Sequence, residues 1–406
     1  MDKIVGIIGL FVLIGIAVLC SEDRKKINWK LVGIGIIMQI AFAFLILKFE
    51  PGKNFFQWMS NGITLLLDFT KEGSTFLFGN LMNIESTGFV WALQILPTII
   101  FFSSFMSILY HIGAMQLIVK VLAKGMVKLL GTSGAETLSA VANIFVGQTE
   151  APLVIKPFIK TMTRSELLTV MTGGMATVAG GVMAGYAAMG VDPGHLLAAS
   201  IMSAPASLII AKIMLPEKEE PVTKGKVQMD LSSSHANVIE AAATGASEGL
   251  TLALNVGAML LAFTALVALV NGVISGVGNA IGMDYLNLSW ILGRLFAPLA
   301  YVMGIPSADI IAAGDLLGQK VVLNEFVAYA NLAPMISSGA LQPKTIVILT
   351  YALCGFANFS SIAIQIAGIG GLAPSRKSEI AQLGIKSLIG GSLAAFMTAS
   401  IAGILF

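Results

Sequence analysis

The 406-residue chain is 56% hydrophobic and only 11% charged, with a formal net charge of +2. Soluble domains average about 25% charged residues, so the polar surface is too small for a soluble protein of this length, and an all-α polytopic membrane protein is predicted. The near-zero charge argues against a nucleic-acid role, and the only two cysteines, Cys20 and Cys354, lie in apolar segments, against a disulfide framework or a zinc cluster.

Residues 4–20 are the first apolar segment. No small-residue cleavage site precedes Cys20 and Leu19 does not suit a lipoprotein signal, so the segment reads as a retained span. Arg24, Lys25, Lys26 and Lys30 assign the loop 21–30 to the cytoplasm and the N-terminus to the outside. Residues 31–47 form a second span, and 49–87, interrupted by Pro51, Trp58, Asp68, Lys71 and Glu72, suit interfacial helices. Residues 88–109 return the chain inside. Between 114 and 130, Lys120, Lys124 and Lys128 recur against Leu, Ile, Val and Met, predicting an amphipathic helix on the cytoplasmic surface with its lysines toward lipid headgroups.

The stretch 143–160, NIFVGQTEAPLVIKPFIK, cannot be an ordinary spanning helix. Pro152 and Pro157 each remove a backbone donor, and Gly147 loosens the turn before Gln148, Thr149 and Glu150. Irregular backbone at membrane depth survives only in protein or beside a watery cavity, and a carboxylate there needs a partner. A re-entrant hairpin is expected, with Lys156, Lys160 and Arg164 marking its return. Residues 165–190 cross outward through GGMATVAGGVMAG, with an interruption near Thr177, and 195–215 cross back to PEKEEPVTKGK, a charged loop expected to be mobile. A polar segment, 230–249, leads into a span at 250–270, followed by an external loop at 271–290 without lysine or arginine. Residues 290–304 suit a short interfacial helix. A second anomalous stretch, 307–335, carries Asp309, Asp315, Asn324 and Glu325 around LNEFVAYANLAP. From 344 a span runs through CGFANFSSIAIQIAG and is broken at Asn358, Ser360 and Ser361; Arg376, Lys377 and Lys386 then mark the inside before the last span, 387–406.

The count is eight transmembrane helices, two re-entrant hairpins and interfacial helices. The order surface helix, acidic dip, interrupted span, plain span occurs twice with an odd number of crossings between, so the second copy is inverted, as in secondary transporters. Four regions follow: 1–113 as N-terminal scaffold, 114–215 as first repeat, 216–289 as cytoplasmic loop and scaffold span, 290–406 as second repeat. Two carboxylate-bearing tips and two broken spans with hydroxyl or amide groups suit a neutral polyhydroxylated or heteroaromatic solute. Substrate contact and proton relay are both open to Glu150 and Glu325. Asp309 and Asp315 read as capping or solvating the second hairpin's start, and His111, His195 and His235 as interfacial. Asn143 and Thr177 either supply oxygen ligands to sodium or cap helix ends. No HExxH, phosphate loop or paired nucleophile points to an enzyme; a channel differs from a carrier in lacking saturable, gradient-dependent uptake.

At GQTEAPLVIKPF, NEFVAYANLAP and CGFANFSSIA, in that order, the chain closely resembles the concentrative nucleoside transporters of bacterial type over nearly its whole length. The resemblance implies symport of nucleosides with Na+ across the bacterial inner membrane by a homotrimer, each protomer having a scaffold and a mobile transport domain; proton coupling is the alternative. It also implies that Gln148, Thr149 and Glu150 address the nucleobase with Val182 against its face. Glu325, Asn358 and Ser361 would bind ribose hydroxyls, and Phe356 would pack on the nucleoside. Asn143 and Thr177, with the carbonyls of Val146 and Val178, match the family's sodium site.

Overall fold

The computed structural model describes residues 2–88, 90–227 and 235–406. Its helices in chain order are α1 Asp2–Leu19, α2 Trp29–Leu47, α3 Glu50–Phe78, α4 Ile84–Thr87, α5 Trp91–His111, α6 Ala114–Leu130, α7 Gly134–Ala142, α8 Arg164–Ala176, α9 Gly180–Ala188 and α10 Pro193–Met214. There follow α11 Val238–Ala280, α12 Leu288–Val302, α13 Ile310–Val322, α14 Glu325–Ser337, α15 Pro343–Leu353, α16 Phe359–Leu372 and α17 Lys377–Leu405. No β-strand occurs among the described residues, and six of the helical stretches are long and apolar enough to cross a membrane.

Polar side chains start these helices where the backbone needs them. The first-turn N–H groups of a helix lack intrahelical partners, and an Asn, Ser, Thr or Asp just before the helix can accept from them. Asn28, Asp192, Asn237, Asn287, Asn324 and Asn358 each do so for α2, α10, α11, α12, α14 and α16. Ser133 with Glu136 and Thr163 with Glu166 form full capping boxes on α7 and α8. The interruption expected near Thr177 separates α8 from α9: Thr177 is extended (φ −126°, ψ 171°). A second break, residues 354–358, divides α15 from α16, and the two breaks meet where the Phe356 amide donates to the Thr177 carbonyl at 3.2 Å.

Packing separates a buried centre from a peripheral layer. The most apolar window of α10 is 94% buried, whereas that of α11 is 11% buried. Helices α8, α10, α15, α16 and α1 gather round α17, while α11 lies along α5 and α12 along α13. The small residues of α17, among them Gly390, Gly391, Ala394 and Ala395, are what let so many helices approach it.

The basic residues expected on one side do converge at one end. Glu22 pairs with Lys386 at 2.6 Å and Arg164 at 3.7 Å, Asp23 pairs with Lys218 at 3.2 Å, and Arg376 donates to the carbonyls of Ile159, Lys160 and Met162. The hydrogen bond from Lys386 holds the Glu22 carboxyl below the usual carboxylate range.

Three expectations need correction. The loop 216–227 is not loose: the Thr223 carbonyl and hydroxyl accept from the Gly134 and Ala135 amides at 2.9 and 3.0 Å, so the loop is fastened to the start of α7. Beside it Lys212, almost fully buried, bridges Glu136 at 2.8 Å and Glu217 at 3.0 Å. Secondly, the span expected to stop at residue 270 continues as α11 to Ala280, because its glycines, unlike proline, leave the hydrogen-bond ladder intact. Thirdly, the last helix starts at Lys377 rather than residue 387, so Lys386 lies within it. Phe89 of the expected span 88–109, and residues 230–234 of the expected polar segment, lie outside the described residues.

Candidate functional site

The first anomalous stretch begins as α7 and then loses regularity: turns lead to a single 3-10 segment, Ala151–Ile155, and further turns reach α8. The tip residues take up distinct positions. Gln148 is buried, Thr149 half-buried and Glu150 exposed. Glu150 folds back over Gly147, where a Cβ would collide with its Oε2, and it accepts from the Thr149 hydroxyl at 2.8 Å. The second stretch forms a pair of regular helices, α13 and α14, joined at Leu323 and Asn324. Glu325 is the first residue of α14, where the helix dipole favours a carboxylate.

Residues far apart in the chain are tied together at the meeting of the two breaks. Gln148 Nε2 donates to Ser361 Oγ at 3.1 Å, and the Ser361 amide donates to Asn358 Oδ1 at 2.9 Å. Asn358 Nδ2 in turn donates to Glu325 Oε2 at 2.9 Å. One hydrogen-bonded line therefore joins the first tip, the second broken span and the second hairpin, and all four residues are buried. Val182 is buried on α9, and Phe356 is half-buried in the 354–358 break.

Two further participants, Tyr186 and Gln365, were not singled out from sequence, and Lys320, the one lysine or arginine deep in either dip, joins them. Tyr186 donates to Glu325 Oε1 at 3.1 Å and lies 4.3 Å from the Tyr329 ring centroid and 4.8 Å from that of Phe326. Gln365, fully buried, donates through Nε2 to Gln148 Oε1 at 3.1 Å and to the Met171 carbonyl at 2.9 Å. Lys320, also fully buried, donates to the Ala352 carbonyl at 2.8 Å, near the C-terminus of α15 where helix carbonyls lack partners. Helical spacing was an available signal for two of them: Tyr186 is four residues from Val182, and Gln365 four from Ser361.

A carboxylate offers about four acceptor positions, of which Tyr186 and Asn358 occupy two on Glu325. The rest suit hydroxyl donors. At the opposite end of the line the Gln148 amide keeps a second N–H, which suits an acceptor on a ring. Asp309 was expected to cap or to be solvated at the hairpin's start and does neither: its side chain makes no cap bond to α13 and, buried, accepts from the Gln342 amide at 3.0 Å and Thr345 Oγ1 at 2.6 Å, fastening the second hairpin's start to that of α15. Asp315 is half-buried on α13.

The candidate sodium ligands lie beside the first tip. Asn143 Nδ2 donates to the Ser139 carbonyl at 3.0 Å, while Asn143 Oδ1 is buried without a partner. Thr177 Oγ1 gives its proton to the Gly173 carbonyl at 2.9 Å, which leaves the oxygen free to accept. A buried amide oxygen without a partner and a hydroxyl oxygen free to accept are hard oxygens of the kind that fit a monovalent cation. Val146 and Val178 lie in the adjoining irregular backbone.

Models of the Na+ dependent nucleoside transporter family match residues 8–81 (its N-terminus) and 195–403 (its C-terminus), and a nucleoside recognition model matches 92–192 between them. The nucleoside permease NupC of Helicobacter pylori is 45% identical, over 99% of this chain and 98% of its own. The solved structure of CNTnw in an inward-facing substrate-bound state is 47% identical with a TM-score of 0.94, covering 100% of this chain and 98% of that one. A CNTnw variant in an outward-facing state fits with a TM-score of 0.95 at 46% identity, with the same coverage of both chains. The chain is thus a multi-pass membrane protein and a transporter rather than an enzyme, and it belongs to the concentrative nucleoside transporter family.

Proposed function

We propose that the protein imports nucleosides across the bacterial inner membrane together with sodium, which moves down its gradient, by alternating access of a transport domain. The observation that carries this reading is the line from Gln148 through Ser361 and Asn358 to Glu325, which offers a donor at one end and a carboxylate at the other. A nucleoside has complementary ends: ring acceptors on its base and hydroxyl donors on its ribose. Gln148, Thr149 and Glu150 hold the base with Val182 against its face, Glu325, Asn358 and Ser361 hold the ribose, and Phe356 packs on the nucleoside.

Asn143 and Thr177, with the carbonyls of Val146 and Val178, hold the sodium ion. When bound, the ion supplies the positive charge that the unpaired oxygen of Asn143 lacks. These residues join the first tip to the α8–α9 break, and the tip also carries Gln148, so ordering at one site is felt at the other. In this reading both hairpins re-enter the membrane without crossing it, and eight spans complete the fold. Residues 1–113 and 216–289 are chiefly scaffold, and the two repeats, 114–215 and 290–406, form the moving part. Helix α11, 43 residues and therefore about 64 Å long, exceeds the roughly 30 Å of bilayer hydrocarbon. Its exposed Leu254, Leu261, Leu269 and Val273 supply contacts to lipid and to two further copies in a homotrimer.

Uptake of radiolabelled uridine into proteoliposomes, with sodium and proton gradients imposed separately, tests this. Saturable uptake driven by sodium is expected, with uracil competing far less well than uridine. Uptake driven only by protons refutes the sodium assignment, and non-saturable flux indifferent to either gradient refutes the carrier.

A further inference from the structure

Gln365 contributes nothing to the reading above by direct contact, yet its hydrogen bonds decide what Gln148 can offer. The Met171 carbonyl can only accept, so the Gln365 atom bonded to it at 2.9 Å is the amide nitrogen. That same nitrogen lies 3.1 Å from Gln148, which must therefore turn its oxygen to Gln365 and its NH2 toward Ser361 and the ligand. At the far end the Ser361 amide can only donate, so Asn358 faces it with Oδ1 and gives its NH2 to Glu325. The line is fixed in polarity from both ends by backbone groups. Gly174 makes room for it: a Cβ there would lie 2.8 Å from Gln148 Cβ and 2.9 Å from Gln365 Nε2.

We propose that Gln365 is a positioning residue for base selectivity, locking the Gln148 amide as a donor so that the site prefers an oxo group over an amino group on the base. An amino group there would set donor against donor. The inference rests on the nucleoside reading and adds a direction to it. Its test uses pairs of nucleosides that differ in this one respect, uridine against cytidine and inosine against adenosine, as competitors of uridine uptake in proteoliposomes. For wild type the oxo member of each pair should compete about tenfold better, equivalent to about 1.4 kcal/mol. In Gln365→Leu the Gln148 amide is free to turn, and the ratio should fall toward one, while the ratio of uridine to its deoxy analogues stays as in wild type.

A merely structural role would weaken all nucleosides alike and preserve the oxo-to-amino ratio, which would overturn the proposal. So would a wild type that takes both members equally, a result that needs no variant to fold. Should Gln365→Leu fail to insert, Gln365→Asn, which withdraws the donor by one methylene, is read in the same way. If no nucleoside competes at all, the substrate reading falls and this inference with it; competition with an unchanged ratio removes this inference alone.

Discussion

Replacing Glu325 by Gln removes a charge while keeping the shape, and the neighbours determine how the amide sits. Asn358 presents an N–H to Glu325 Oε2 at 2.9 Å and cannot turn, because its own oxygen is held by the Ser361 amide. The new amide must keep its oxygen toward Asn358 and point its NH2 at Tyr186, whose hydroxyl rotates to accept. The protein should therefore insert and assemble normally, with a Tm at or above wild type, since a buried charge has been removed. Ligand binding should not be spared. Hydrogen bonds to charged groups contribute about 1.5–3 kcal/mol and neutral ones about 0.5–1.5, so each ribose hydroxyl on this carboxylate loses about 1 kcal/mol. One or two such contacts weaken uridine binding about 5- to 30-fold. Calorimetric titration of the purified protein in saturating sodium measures this directly. Removing a ribose hydroxyl from the ligand should also cost less in the variant than in wild type, because two groups in contact do not act additively. Uridine affinity within twofold of wild type, in a variant that folds, would refute the placement of ribose on Glu325.

Glu150→Gln, at an exposed tip, should assemble normally and lose most uridine uptake; transport near the wild-type rate would reduce Glu150 to a structural role. If Asn143 and Thr177 hold the coupling ion, sodium should tighten uridine binding and uridine should tighten sodium binding by the same factor, an effect smaller in Asn143→Ala and in Thr177→Val. Calorimetry across sodium concentrations reads this, and a wild-type affinity indifferent to sodium but rising in acid would favour proton coupling instead. Lys212→Met leaves Glu136, 1% exposed, as an unpaired charge at the base of α7, and should destabilise the fold by about 3–5 kcal/mol. A Tm unchanged from wild type would show that the pair is dispensable; Glu136→Gln added to Lys212→Met should recover part of the loss.

Much of the architecture is local and was therefore readable from the residues. The α8–α9 break at Thr177 and the α15–α16 break at Asn358 follow from glycine-rich or capping sequence, and α6 spans 114–130 as its periodic lysines and apolar residues indicate. Asparagine before an apolar run marks a helix start because the first-turn amides have no partner within the helix, and its side chain is near enough in sequence to supply one. Where no breaker stands, the chain itself is silent: nothing near residue 270 states whether α11 stops, and the helix runs on to Ala280. The candidate residues on the two tips and the second break were legible as polar groups in apolar surroundings. What they bond to was not. Gln365 meets Gln148 across 217 positions, Tyr186 meets Glu325 across 139, and Thr223 caps α7 from 88 positions away. A buried polar side chain must find a partner, but only the crossing of the two breaks, brought about by the way the hairpins and broken spans pack, selects which one. The amides of Gln148 and Asn358 therefore have identities in the sequence and directions only in the tertiary structure, where a backbone carbonyl at Met171 and a backbone amide at Ser361 leave each a single way to face.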